Sequence, residues 1–126
     1  MFDYMFDAVK VKEAEADYGK LKLTQQQKEN VTVMAKLLAG RIPISELALR
    51  GFIWKAISKF QKQTQTYLEQ GSDFSVEDKV EYTYTIAMEV RNNLVKILKR
   101  STDVSEVDQA LHEVMEFYKD NLVSKS

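Results

Sequence analysis

Between residues 76 and 97 the chain places Val76, Val80, Thr83, Ala87, Val90, Leu94 and Ile97 at intervals that alternate between four and three. An α-helix packed on other helices is the structure that keeps such positions on one side for three heptads. The stretch Val80-Glu81-Tyr82-Thr83-Tyr84-Thr85-Ile86 also alternates with a period of two and is rich in strand formers. The helical pattern continues far beyond that window, so length decides for helix. A helix with one long apolar seam needs others to cover it.

The rest of the sequence supplies them. A first helix over 2–18 carries Phe2, Met5, Phe6, Val9 and Ala16 as one apolar stripe. Tyr4, Val11 and Tyr18, seven apart, form a second stripe on roughly the opposite side. A helix apolar on two sides is usually sandwiched, which suggests a second chain against Tyr4, Val11 and Tyr18. Gly19 is expected to stop it in a left-handed conformation. A second helix over 25–39 opens with Thr24 and Gln27 in a capping-box arrangement and turns Val31, Met34, Leu37 and Leu38 inward. After Pro43, Ser45 caps a third helix over 46–70, with Ile44 and Leu49 placed as a hydrophobic staple. The seam helix spans 76–100 behind a Ser75 cap. A fifth, over 104–123, steps through Val104, Val107, Leu111, Val114, Tyr118 and Leu122. The fold class is therefore all-α: one up-and-down helical bundle covering residues 1–126, with two or three long, heptad-like helices.

Composition agrees with this. A chain of 126 residues with 44% hydrophobic and 29% charged side chains has the balance of an ordinary globular domain. Four Gly and one Pro leave little loop, and the absence of Cys removes disulfides, thiol nucleophiles and thiolate metal sites. Asp3 and Asp7 interrupt the apolar core that a signal peptide would need, and no run approaches the ~18 apolar residues of a membrane span. A cytoplasmic protein away from membranes is the expectation.

Charge is uneven although the net is −1. Residues 30–68 hold Arg41, Arg50, Lys36, Lys55, Lys59 and Lys62 against Glu46 alone, a net of +5; residues 69–126 carry a net of −5. Within the basic part, Leu38 to Phe60 resembles a helix-turn-helix, with Glu46-Leu47-Ala48 as the support helix and Gly51 as the turn. The resemblance implies that Trp54, Lys55, Ser58, Lys59 and Lys62 face a groove or its phosphates. Ala48 and Gly51 are three apart where the family has four, which rotates the second helix by ~100°. The alternative, adopted here, is one continuous helix in which Gly51 admits close packing and the lysines form a solvated face.

Catalytic motifs do not emerge. Arg91 lies on the apolar side of its helix and, as a buried charge, must find an acid or reach solvent. Arg91-Asn92-x-x-x-Lys96 resembles the Arg-x4-His signature of the HEPN helical ribonucleases, which are similar in size and all-helical build. Lys96 stands where their catalytic His would be, so their acid–base chemistry does not carry over. His112, Asp108 and Glu116 share one side of a helix, yet no second metal half-site accompanies them, and they read as solvated boundary residues. No Gly-rich phosphate loop or nucleophile elbow is present.

The sequence thus points to a non-enzymatic helical binding protein without cofactor, metal or small-molecule substrate. It would be a regulator, inhibitor, adaptor or assembly factor of the kind bacteria and phages encode, bound to another protein or to itself. The candidate interface residues are Tyr4, Val11, Tyr18, Phe52, Trp54, Tyr82 and Phe117. The second reading is a nucleic-acid binder using Arg41, Arg50, Lys55, Ser58, Lys59 and Lys62.

Overall fold

The computed structural model describes residues 6–60, 62–63, 69, 75–100 and 103–124. Five helices account for most of them: α1 (Ala8–Gly19), α2 (Gln25–Ala39), α3 (Glu46–Lys59), α4 (Val76–Val95) and α5 (Val104–Ser124). The all-α bundle expected from the spacing is what forms.

Local chemistry sets most boundaries. Thr24 accepts from the Gln27 amide at 3.2 Å while the Gln27 side chain accepts from the Thr24 amide at 2.9 Å, completing the capping box. Ser45 and Ser75 cap α3 and α4 through the amides of Ala48 and Asp78. In the stretch that could have been a strand, Thr83 and Thr85 donate their hydroxyls to the carbonyls of Lys79 and Glu81. Those bonds let two β-branched residues sit inside a helix.

Three ends differ from the sequence reading. The first helix begins at Ala8, not Phe2, because Asp7 caps it, accepting from Val9 and Lys10. Phe6 is extended instead and forms an antiparallel bridge with Leu98, while the Asp7 amide donates to the Ile97 carbonyl at 2.9 Å. That same contact ends α4 at Val95 rather than at residue 100, since the chain must turn to present Ile97 and Leu98. The third helix ends at Lys59, where Phe60 leaves helical geometry (φ −107°, ψ 44°) with its ring still against the core. Lys62, Gln63 and Glu69 are helical again; residue 70, the expected end of the helix, lies outside the described residues. Gly19 is simply the last helical residue of α1, and Lys20 caps it in right-handed geometry.

The helices are arranged around α3, which packs against α1, α2 and α4; α5 covers α4 and touches α2. This departs from a simple up-and-down order, because α1 rests mainly on α3 rather than on its sequence neighbour α2. The reason is Gly51. A Cβ placed there would lie 2.6 Å from the carbonyl oxygen of Ala14, so the backbones of α1 and α3 cross in direct contact. α3 runs unbroken through that crossing. The glycine is a packing site and not a turn, which removes the helix-turn-helix arrangement.

The crossing also turns α1 over relative to expectation. Tyr18 is buried, and Val11 and Ala14 pack against the core, while Val9 is 65% exposed and Ala16 is exposed. Starting the helix at Ala8 takes Phe6 out of phase with Val9, so Phe6 is buried by its bridge and not by a helical stripe. Elsewhere the seams hold. Val31, Met34 and Leu38 on α2, Ala87, Val90 and Leu94 on α4, and Val107, Leu111 and Val114 on α5 are all buried.

Candidate functional site

Of the apolar residues expected at an interface, Tyr18 and Phe52 are core residues and are unavailable to a partner. Tyr18 is inward because α1 presents that side to α3, and Phe52 because α3 is covered by several helices at once. Val11, Trp54 and Tyr82 are half-buried and packed on the core. Phe117 remains at the surface, 48% exposed. Tyr4 lies outside the described residues.

Two cations of the basic segment meet acids brought from other helices, and a third meets the segment's own acid. Arg41 donates Nε to Glu113 of α5 at 2.9 Å and Nη1 to the Leu37 carbonyl, tying the end of α2 to α5. Arg50 pairs with Glu46 one turn earlier at 2.6 Å. Lys59 donates to both carboxylate oxygens of Glu89, each at 3.1 Å, joining α3 to α4. Its Nζ also stands 5.8 Å from the Phe60 ring centroid. Glu89 is itself buried, so Lys59 acts as the cover of a sequestered carboxylate. Lys55, Ser58 and Lys62 stay exposed. The acid-free character of residues 47–68 is thus a property of the sequence and not of the folded surface.

Arg91 is half-exposed rather than a buried charge, and it still pairs with an acid: its Nε donates to Asp108 of α5 at 2.8 Å. The hydrogen bond to Asp108, and then the charge of that carboxylate, raise the Arg91 pKa above the ordinary guanidinium value. The guanidinium is therefore spent on fastening α4 to α5. Asp108 of the Asp108, His112 and Glu116 trio is thus engaged with Arg91. Among the described residues no group of three His, Cys, Asp or Glu side chains is placed to hold a metal ion. Likewise no described helix is long and apolar enough to cross a membrane.

Two features escaped the sequence reading. Glu89 and Asn93, one turn apart, are buried on α4, and the Asn93 Nδ2 atom has no hydrogen-bond partner among the described residues. Their location was visible in principle, since both fall on the inner side of the seam helix next to Ile86 and Val90. The other is the outer side of α4, where Tyr84 is 37% and Met88 54% exposed. Glu77, Glu81, Tyr84, Met88, Asn92 and Val95 step by 4, 3, 4, 4 and 3, a second stripe hidden by the stronger apolar seam.

Compared with models of protein families, with curated proteins and with solved structures, the chain matches none of them.

Proposed function

We propose that this chain is a non-enzymatic helical binding module that works by contact with another protein, a further copy of itself included. The observation that carries the reading is the Tyr84–Met88 pair, two large apolar side chains one turn apart on the outer side of α4. Single exposed apolar residues are common on monomers; a consecutive pair within a heptad-like stripe has the form of a helix-docking face. The distribution of charge supports the same choice. Arg41, Arg50 and Lys59 are committed to Glu113, Glu46 and Glu89, and Arg91 to Asp108.

The nucleic-acid reading is left with Lys55 and Ser58 as exposed positions on α3, a short stripe beside the ~6–10 phosphate contacts of a strongly salt-dependent binder. The protein-binding reading is tested by affinity purification of tagged wild type and of the Tyr84→Arg/Met88→Glu variant. A protein retained in stoichiometric amount by wild type and lost by the variant is the expected result. The absence of both such a protein and self-association in the wild type would overturn it.

A further inference from the structure

The outer stripe of α4 has a polarity of its own. At ~100° per residue, Glu77, Glu81, Tyr84, Met88, Asn92 and Val95 fall within ~80° of one another, with Lys96 just beside them. Their burial agrees: Glu77, Glu81, Tyr84, Met88, Asn92 and Lys96 are exposed, Val95 is half-buried, and Ile86, Ala87, Glu89, Val90, Asn93 and Leu94 turn inward. The stripe is acidic towards the start of the helix and basic at its end, where Lys96 caps α4 and Lys99 follows. Glu77, Glu81, Lys96 and Lys99 take no ion pair among the described residues. They differ in this from Arg41, Arg50, Lys59 and Arg91.

We propose that a second copy of this chain docks antiparallel on the outer face of α4, with Met88 of each copy at the two-fold axis. The proposal rests on the protein-binding reading of this face and names the partner. Its basis is self-complementarity about one point. Glu81 precedes Met88 by ~10 Å along the helix and Lys96 follows it by ~12 Å, at 1.5 Å per residue. An antiparallel copy therefore sets Glu81 beside Lys96, and the two-fold repeats the pairing. The same register brings Tyr84 opposite Asn92, where a phenol and an amide can exchange a hydrogen bond, and Met88 against Met88. A parallel copy would set acid on acid and lysine on lysine, so the charges select the orientation as well as the partner.

One helix face of ~30 Å offers far less than the ~800 Å² per partner of a standard interface. The association is therefore reversible and concentration-dependent. Sedimentation velocity of the full chain over ~1–300 μM is the test, and the 14.6 kDa monomer is expected to give way to a dimer within that range. Met88→Glu places two carboxylates on the axis and raises the dimer Kd by about tenfold or more. Lys96→Glu also weakens the dimer, and adding Glu81→Lys restores it, which a general loss of folding could not do. Circular dichroism shows that each variant is folded. A monomer at every concentration, a dimer indifferent to Met88→Glu, or a charge swap that fails to restore pairing would overturn the proposal. A monomer that still retains a different protein through Tyr84 and Met88 overturns the pairing and leaves the binding-module reading intact; a monomer without a partner overturns both.

Discussion

Gly51→Ala separates two meanings of a glycine inside a helix. If Gly51 were a tolerated flaw, alanine would stabilise α3 by up to about 1 kcal/mol through helix propensity. In the structure the added methyl meets the Ala14 carbonyl oxygen at 2.6 Å, a backbone atom that cannot swing aside. The substitution is therefore expected to destabilise by about 1–3 kcal/mol, as overpacking does, and urea denaturation gives the sign directly. Lys59 offers a second check at this scale. Its side chain is 61% exposed but the Glu89 side chain only 10%, so Lys59→Ala abandons a buried carboxylate. A loss of about 1–2 kcal/mol is expected, below the value for a fully buried pair because the lysine is largely solvated. Lys59→Met/Glu89→Met should recover most of it in a double-mutant cycle.

At the scale of elements, the interior of each helix was legible and its ends were less so. The four-three spacing of α4 and α5, the capping box of α2 and the Ser45 and Ser75 caps are local signals, and the structure carries all of them. What could not be read was any boundary decided by a distant segment. The start of α1 and the end of α4 are set by one another through Phe6, Asp7, Ile97 and Leu98, ninety residues apart. The facing of α1 followed the same logic: a helix with apolar residues on two sides offers two solutions, and the Gly51 notch on α3 chooses between them. Phe6→Ala tests the clasp. The ring is 2% exposed, so its removal should cost about 3–5 kcal/mol, seen as a lower denaturation midpoint with an unchanged slope. A loss below ~1 kcal/mol would mean that the bridge is peripheral to the fold.

Across the whole molecule, two of the six cations of residues 30–68 are spent on joining helices to acids of residues 69–126. Arg41–Glu113 and Lys59–Glu89 each draw a cation from the first group and an acid from the second. The candidate site was only partly legible for this reason: a sequence displays which charges are present, while pairing across helices removes them from the surface. The folded chain is accordingly expected to leave heparin below ~150 mM salt, with little change on Lys55→Glu/Lys62→Glu. Elution at high salt that this variant abolished would return the nucleic-acid reading to first place.

These cross-helix pairs also have a direction in time. Translation runs from the amino end, so Arg41 and Lys59 are joined to the chain before Glu89 and Glu113. During that interval the segment 30–68 carries its full +5 beside a surface of ribosomal RNA phosphates. A half-made chain is thus a better polyanion ligand than the finished one. Its release from that attraction coincides with the arrival of the acids that complete the bundle.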